Sequence, residues 1–224
     1  MRADERSAKA EGGITLVCFA LKEEAAPFRK IINGRTDVSI LVTGIGRANS
    51  ERALRKVLQS SSPKRVFTCG FAGGLDPKLQ TGDVVFATTD AALAETLKKA
   101  GARAATFVCV DHIATTAFEK QMLRANTQAD AVEMESDMIQ TLCAERGIPC
   151  ATVRVISDPA QEDLPLDFNQ LSNPDQSLNF RKLALAIARS PGKIPELLKL
   201  QRQTKFAAGC LAEALIRVLV LCGR

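Results

Sequence analysis

The sequence predicts an α/β protein of three layers, α/β/α, in which helices cover both faces of a central twisted sheet with mixed or mainly parallel strands. Short apolar runs of strand length alternate with amphipathic helical segments along most of the chain. Several runs are apolar at every position, which is typical of strands buried on both faces of a sheet. The length of 224 residues is sufficient for one domain with a substantial core.

The predicted elements follow one another in a regular order. Strands are predicted at residues 14–20, 38–43, 65–69, 83–88, 104–110 and 148–156. Helices are predicted at residues 47–58, 91–100, 116–126 and 135–146, and an apolar helix closes the chain. Residues 1–13 lack the apolar core of a signal peptide, so we interpret them as a disordered lead to a single domain over 14–224. The polar residues 161–177 are predicted to form a loop over the site.

Cysteine and histidine content limits the chemistry. The seven cysteines are an odd number, lie mostly among apolar neighbours and form no Cys-x-x-Cys pair. This pattern is typical of reduced thiols in a cytoplasmic protein and predicts no zinc site. His112 is the single histidine and no nucleophile-elbow motif accompanies it, which argues against a Ser-His-Asp triad. A Gly-x-Gly without the rest of the dinucleotide fingerprint argues against a dinucleotide cofactor.

Two polar stretches are the candidate site. Glu133, Met134 and Glu135 precede a predicted helix, and a β-branched segment ends at Ser157 and Asp158 just before a proline. Because ligands bind at the carboxyl ends of strands in open α/β sheets, we expect these acids to face one cavity. Carboxylates accept hydrogen bonds from vicinal sugar hydroxyls, and a thioether packs on the face of a sugar ring. Two acids at a helix start are also typical of solvated charge stabilised by the helix dipole.

Four ordered motifs carry a family resemblance. They are Gly70-Phe-Ala-Gly-Gly-Leu75, Gly82-Asp-Val-Val85, Val132-Glu-Met-Glu135 and Val155-Ile-Ser-Asp158. In this order they resemble the nucleoside phosphorylase and methylthioadenosine/S-adenosylhomocysteine nucleosidase superfamily, over residues 14–160. The resemblance implies a nucleoside phosphorylase-like fold and cleavage of the N-glycosidic bond of a purine nucleoside. The residues it implies for binding substrate at this point are Glu133, Met134, Glu135 and Ser157, with Asp158 acting on the purine.

The resemblance also implies a nucleophile pocket at the ends of the first three strands. It places Glu24 beside the water that nucleosidases activate, although a glutamate at a helix start is equally typical of helix-dipole stabilisation. The residues implied for a phosphate or water pocket are Gly44, Gly46, Arg47 and Gly70. Glycines permit close backbone approach, and a helix N-terminus offers free N–H groups to an anion. Phe71 is also expected to bind substrate. It stands where many members have a serine and offers only its backbone amide, which departs from the family's phosphate site.

Three further residues are assigned by position. His112 and Ile113 fall where the family packs an apolar residue and backbone groups against the purine, so one of them is expected to touch the base. A structural histidine is the alternative for His112. Arg154 shares strand parity with Asp158, and we predict that it partners a carboxylate such as Glu133, with a direct ligand role as the alternative.

The C-terminal part combines basic and apolar residues. From residue 181 onward, nine Lys and Arg residues accompany two Glu, in a chain of net charge +5. Its Pro-Gly, Leu-rich and Ala-rich pattern resembles the hopanoid-associated phosphorylase branch, which implies adenosylhopane as substrate. Such a tail suits this ligand or a peripheral contact with a membrane surface. Packing against its own core or a sister subunit is the alternative. The absence of Tyr and Trp weighs against single-stranded nucleic acid as a partner.

The predicted function is release of adenine from a nucleoside in the cytoplasm, by phosphorolysis or hydrolysis. Asp158 would share or donate a proton to purine N7, and Glu135 would hold the ribose hydroxyls while Met134 packs on the ring. Water activated by Glu24, or phosphate, would attack the anomeric carbon. No metal or redox cofactor is predicted, with phosphate as the possible co-substrate, and the resemblance implies a homo-oligomer. The alternative is a non-catalytic nucleoside-binding or membrane-associated module.

Overall fold

The computed structural model describes residues 13–173 and 179–223, in which a sheet of eight strands lies between helices. The strands are β1 (Thr15–Phe19), β2 (Val38–Val42), β3 (Arg65–Gly74), β4 (Val84–Thr88), β5 (Arg103–Ala104), β6 (Phe107–Cys109), β7 (Ala131–Glu133) and β8 (Cys150–Asp158). The helices are α1 (Lys22–Ile31), α2 (Arg47–Ser60), α3 (Ala91–Lys99), α4 (Ala117–Thr127), α5 (Ser136–Ala144), α6 (Phe180–Arg189) and α7 (Ile194–Cys222), with a 3-10 turn at Pro191–Lys193.

The sheet is mixed, as predicted. Its strands run in the order β2-β1-β3-β8-β4-β5, and β7 pairs with the carboxyl end of β3 and with β6. β2, β1, β3 and β8 are parallel to one another, whereas β4 is antiparallel to β8 and β7 is antiparallel to β3. The parallel centre places the carboxyl ends of β1, β3 and β8 at one edge, where α/β proteins bind ligands.

The residues of β1 show how both faces of the sheet are covered. Val17 and Phe19 enter one apolar cluster with residues of α1, α3 and α7, whereas Leu16 and Cys18 enter a second cluster with residues of α2 and α5. Successive side chains of a strand point to opposite faces, so an apolar run buries both. The predicted three-layer arrangement is therefore confirmed.

The prediction that the third strand ends at residue 69 was wrong. β3 continues through the glycines to Gly74, and its end pairs with both β7 and β8. A Cβ atom at Gly73 would lie 3.1 Å from Val132 Cγ1 and 3.4 Å from Asp158 Oδ2. The glycine therefore allows two strands to approach β3 closely, which is a strand role rather than a turn role.

The strand predicted at residues 104–110 is divided in two. β5 extends the main sheet beside β4, while β6 pairs with β7. Between them, Thr106 donates its backbone N–H to Asp130 Oδ2 over 2.9 Å. The chain thereby crosses from the outer edge of the sheet to β7, next to the carboxyl end of β3.

The predicted apolar C-terminal helix is observed as α7. From residue 207 onward, Ala207, Leu211, Leu215 and Val218 are buried in the main core, so packing against the chain's own core is confirmed there. Within the described ranges, no helix combines the length and apolarity needed to span a bilayer. The predicted lead, except for Gly13, lies outside the described residues, as do residues 174–178 of the predicted loop. The described part of that loop contains turns.

Candidate active site

A cavity of about 250 Å³ lies at the carboxyl ends of β1, β3 and β8. The sequence-predicted residues in its wall are Glu24, Phe71, His112, Ile113, Glu133, Met134, Glu135, Ser157 and Asp158. The acids at the end of β7 and the acid at the end of β8 thus face the same space, as expected from the sequence.

Glu133, the last residue of β7, is the most fully hydrogen-bonded of these acids. Its Oε2 accepts the backbone N–H groups of Glu135 and Ser136 over 3.0 and 2.9 Å, and its Oε1 accepts the Ser136 hydroxyl over 2.7 Å. The buried Arg154 of β8 forms an ion pair with it, as predicted from strand parity. Burial raises the pKa of Glu133, but Arg154 and these hydrogen bonds outweigh burial and hold it below its ordinary value.

Glu135 lies at the N-cap of α5 and is less completely engaged. Its Oε1 accepts the Gly46 N–H over 2.8 Å, and its Oε2 lies 3.2 Å from Arg154 Nη2. Burial raises its pKa, with Arg154 acting in the opposite direction. Each carboxylate oxygen has two lone pairs, so Glu135 retains acceptor capacity towards the cavity beside Met134.

Glu24 closes the start of α1 and reaches across to β3. Its Oε2 accepts the Leu21 N–H over 2.8 Å, and its Oε1 accepts the Phe71 N–H over 2.9 Å. A Cβ atom at Gly70 would lie 2.6 Å from Arg154 Nη1 and 2.8 Å from Glu24 Oε1, so glycine leaves room for both side chains. Burial raises the pKa of Glu24 to about 7, against the opposing effects of the Phe71 N–H and Arg154. Such a group is suited to general-base chemistry at neutral pH.

The residues predicted for a phosphate or water pocket are not part of the cavity wall. Gly44, Gly46, Arg47 and Gly70 do not line the cavity. Because the Gly46 N–H is bonded to Glu135, it is not free for an anion. Arg47 forms an ion pair with Asp137 on the exposed side of α2. The start of α2 therefore serves to position Glu135.

Asp158 ends β8 and is held by two neighbours. Its Oδ2 lies 2.6 Å from Lys120 Nζ, and its Oδ1 accepts the Ser157 hydroxyl over 2.5 Å. Burial raises the pKa of Asp158, while Lys120 and Ser157 act to lower it. With the net shift upward, Asp158 holds a proton to higher pH than an exposed aspartate does.

Lys120 is a site residue that the sequence did not reveal. It lies in α4, is 0% exposed, and also donates to the backbone oxygens of Pro159 and Glu162 over 3.0 and 2.9 Å. On the same helix Phe118 is 72% exposed and Met122 is 45% exposed. An amphipathic pattern predicts the opposite orientation, with the lysine in solvent, so no sequence signal identifies Lys120.

His112 and Ile113 are both in the wall, with different engagements. The His112 ring is about half exposed, and its Nδ1 and Nε2 lie 3.0 and 2.7 Å from carboxylate oxygens of Asp111 and Glu119. Asp111 raises the pKa of His112 most, burial lowers it, and Glu119 adds to the increase. The Ile113 N–H and carbonyl are bonded to the Asn169 side chain over 2.8 and 2.9 Å.

The outer wall of the cavity comes from segments that the sequence did not assign to it individually. Leu164 and Phe168 belong to the predicted loop over the site, and Leu200 and Thr204 belong to the first half of α7. Among residues 13–173 and 179–223, no group of three or more His, Cys, Asp and Glu side chains is arranged to hold a metal ion. The site therefore consists of an acidic inner wall and a mainly apolar cover.

A three-layer fold with several acids converging at the carboxyl edge of its sheet defines an α/β protein that binds a small polar molecule there. The chain belongs to the Phosphorylase superfamily, whose family model matches residues 18–101 and 87–189. This membership confirms the superfamily predicted from the four motifs.

Relatives within this superfamily include nucleosidases. The chain is 27% identical over 179 residues to a 5'-methylthioadenosine/S-adenosylhomocysteine nucleosidase of Glaesserella parasuis, a match covering 63% of this chain and 77% of that protein. Futalosine hydrolase of Helicobacter pylori shares its fold, with a TM-score of 0.72, 15% identity and coverage of 94% of this chain and 98% of that one.

A third comparison gives the same fold. The 5'-methylthioadenosine/S-adenosyl homocysteine nucleosidase of Campylobacter jejuni matches with a TM-score of 0.70 and 17% identity, over 93% of this chain and 99% of that chain. With the family membership and the nucleosidase relatives, the prediction of an enzyme that cleaves nucleoside N-glycosidic bonds is confirmed. The hopanoid-associated branch and the roles of individual residues stay predictions.

Proposed function

We propose that this cytoplasmic enzyme hydrolyses the N-glycosidic bond of an adenine nucleoside. The observation that carries the proposal is the convergence of Glu24, Glu135 and Asp158 on one cavity of about 250 Å³. These are the three groups that the reaction requires: a base for water, an acceptor for ribose hydroxyls and an acid for the purine. The reaction needs no redox step.

Asp158 is the proposed acid. Breaking the bond between the ribose and the purine leaves negative charge on the base, and protonation of N7 neutralises that charge. Burial keeps the pKa of Asp158 above its ordinary value, which favours the protonated form that this step consumes. Ser157 is proposed to orient the carboxyl through the hydrogen bond to Oδ1.

Glu135 and Met134 are proposed to hold the ribose. Glu135 keeps free acceptor lone pairs on the cavity side, and ionised carboxylates accept strongly from hydroxyl donors. Met134 would pack its thioether on the sugar ring, while Glu133 acts behind them by fixing the turn through Arg154 and Ser136. This arrangement places negative charge near the oxocarbenium-like transition state, where it is most stabilising.

Water is favoured over phosphate as the nucleophile. Arg154 is already paired with Glu133 and Glu135, Arg47 is paired with Asp137, and the Gly46 N–H is engaged. A phosphate dianion needs several such donors and is repelled by an ionised Glu24. Glu24, with a pKa of about 7, is instead suited to accept a proton from water.

The proposed substituent at the 5' position is apolar, of the adenosylhopane type. Leu164, Phe168 and Leu200 give the outer wall of the cavity its apolar character. On α6, Leu185 is 49% exposed and lies four residues along the helix from each of the exposed basic residues Arg181 and Arg189. A basic surface with exposed leucine supports a peripheral contact with an anionic membrane that would carry such a substrate.

A homo-oligomer is part of the proposal. Phe118 and Met122, one turn apart on α4, are exposed by 72% and 45%, and large exposed apolar side chains that lie together are typical of subunit contacts. Light scattering during gel filtration should show a mass above 24.1 kDa. A Phe118→Lys variant should shift the mass towards the monomer, and a monomeric wild type would contradict this part.

The reaction is tested by adenine release. Adenosine, methylthioadenosine and a 5'-alkyl adenosine are incubated with the enzyme, with and without phosphate, and adenine and the sugar product are separated by chromatography. We expect free pentose and equal rates in both conditions, with the alkyl nucleoside fastest. Strict dependence on phosphate would reject hydrolysis. Tight nucleoside binding without adenine release in either condition would identify a binding module.

A further inference from the structure

Lys120 is a buried cation whose three N–H donors are all used inside the protein. Its Nζ lies 2.6 Å from Asp158 Oδ2 and donates to the Pro159 and Glu162 backbone oxygens over 3.0 and 2.9 Å. An ammonium group has three donors and no acceptor, so this geometry matches the charged form of the lysine. The side chain is 0% exposed, and solvent therefore takes no part in compensating its charge.

Burying the charged Lys120 side chain lowers the stability of the fold unless the pairing with Asp158 compensates for it. Burial of a charge is strongly unfavourable, and a packed apolar side chain of similar size often gives equal or greater stability than a buried ion pair. Phe118 and Met122 show that α4 has apolar residues that could have faced the core of the subunit but are exposed on its surface. Stability alone therefore does not account for a lysine beside the proposed acid.

We propose that Lys120 is the positioning residue of the acid: it fixes the Asp158 carboxyl towards the cavity and stabilises the carboxylate that remains when the proton passes to the purine. The inference rests on the proposed function and deepens it. By bonding to Pro159 and Glu162 as well, Lys120 ties the end of β8 to the loop that follows it.

The proton balance assigns different tasks to the two oxygens of Asp158. Since Oδ2 is held by Lys120, Oδ1 carries the proton that moves to N7, and the electrons of the C1'–N9 bond move to the base. The new bond at C1' forms to water, whose proton passes to Glu24. The Ser157 hydroxyl lies 2.5 Å from Oδ1 and 3.4 Å from the Ala72 oxygen, so it can donate to Ala72 while Oδ1 is protonated. After transfer Asp158 is an anion beside the Lys120 ammonium, which keeps its own three protons.

The test compares the pH dependence of kcat/KM in the wild type, Lys120→Met and Lys120→Gln. Without the cation, only the hydrogen bond from Ser157 opposes the effect of burial, and the pKa of Asp158 rises further. We expect kcat/KM to fall about 10- to 100-fold at neutral pH, because the acid is weaker. The decline on the alkaline side should move to higher pH by about one unit or more. Gln keeps donors for the backbone oxygens without the charge, and should show the same displacement.

The control is Lys199→Met, because Lys199 also pairs with the 159–162 loop, through Glu162 Oε1 at 3.1 Å, but is 58% exposed. It should leave the alkaline decline in place. Repeating Lys120→Gln in an Asp158→Asn background should abolish the effect on the pH profile. Equal loss of activity at every pH, in both backgrounds, would show a purely structural lysine and overturn the inference.

Folding and the reaction itself are checked separately. Circular dichroism and thermal unfolding establish whether the variants fold. If neither Lys120 variant folds, the pairing of Lys120 with Asp158 is tested by the NMR signal of Lys120 Nζ in 15N-labelled wild type. A protected ammonium that shifts when adenine binds, and loses protection in Asp158→Asn, supports the pairing; a signal unchanged by both overturns it. An inactive wild type would reject the proposed function. If the wild type is active but the alkaline decline of kcat/KM stays at the same pH in the Lys120 variants, only the role of Lys120 is rejected.

Discussion

Arg154 and Lys120 are both buried cations, and each is paired with carboxylates that face the cavity. Around Arg154, Glu133 also accepts two backbone N–H groups and a hydroxyl, and its pKa lies below the ordinary value. Around Lys120, Asp158 has one further hydrogen bond, from Ser157, and its pKa lies above the ordinary value. The pKa values of Glu133 and Asp158 shift in opposite directions because more hydrogen bonds stabilise the charged form of Glu133 than that of Asp158.

The wall that contains Glu133 and Glu135 and the wall that contains Asp158 therefore differ in what they can do. On the wall proposed to hold the ribose, here called the sugar side, Glu133 has a lowered pKa and braces the turn that presents Glu135. On the wall proposed to face the purine, here called the base side, Lys120 and Ser157 hold Asp158 in place, while burial keeps its pKa raised. An acid that supports structure, as Glu133 does, needs enough hydrogen-bond donors to favour its charged form. An acid that is to donate a proton, as proposed for Asp158, needs a cation that positions it without removing that proton.

The largest effect is expected from removing the sugar-side cation. Arg154→Met leaves Glu133 and Glu135 buried without a positive partner, and breaking a buried pair in this way costs about 3–5 kcal/mol of unfolding free energy. Urea unfolding measures it. Arg217→Met, which removes an arginine that is 58% exposed, should change stability by less than about 0.5 kcal/mol. A loss as small for Arg154 would show that the two glutamates do not depend on it.

The next effect is expected from the base-side acid. Asp158→Asn keeps the shape of the side chain but supplies no acidic proton, so kcat should fall by about 10²- to 10⁴-fold. Adenine release measures the rate, and adenine binding measured by calorimetry shows whether the cavity is retained. A variant that binds adenine and keeps more than about a tenth of the wild-type kcat would remove Asp158 from the role of acid.

The sequence predicted mostly features that depend on residues close together in the chain. It did not predict those that depend only on contacts between distant segments. The existence of most strands was predictable from apolar runs, and strand parity predicted the pairing of Arg154 with Glu133. The extension of β3 through Gly73 was not predictable, because glycine in isolation indicates a turn, and its close contacts with Val132 and Asp158 come from other strands. Only tertiary packing gives such contacts.

Lys120 is a clearer example of a feature that a sequence pattern does not predict. Helical periodicity predicted the existence of α4 but would turn Phe118 inward and Lys120 outward. The choice between these orientations depends on Asp158 and on the backbone oxygens after β8, which lie far along the chain. A pattern within one helix contains no information on that partner.

Glu24 tests whether a third acid behaves like Asp158. Its pKa is raised from 4.5 to about 7, so the folded state favours the protonated form. This contribution to stability is complete below the unfolded pKa and is lost as pH rises through about 7. Relative to Glu24→Gln, the wild type should therefore lose about 3 kcal/mol of unfolding free energy between those two values.

Two measurements check the Glu24 prediction. Thermal unfolding from pH 4 to 8 gives the difference in slope between wild type and Glu24→Gln, and Glu51→Gln on α2, which removes an acid that is 36% exposed, is the control. Hydrolysis by Glu24→Gln should be at least about 10²-fold slower if Glu24 activates water. Parallel stability curves for wild type and Glu24→Gln would show that folding does not shift the pKa of Glu24, and would contradict the prediction.

The smallest effect is expected at His112, which lies in the same wall but is about half exposed. Both ring nitrogens are engaged with Asp111 and Glu119, so only the ring face is available to a base. His112→Asn should change kcat/KM by less than about fivefold and stability by less than about 1 kcal/mol, because exposed ion pairs contribute little. A larger loss confined to KM would show that the ring stacks on the purine, and it would extend the base-side wall beyond Asp158 and Lys120.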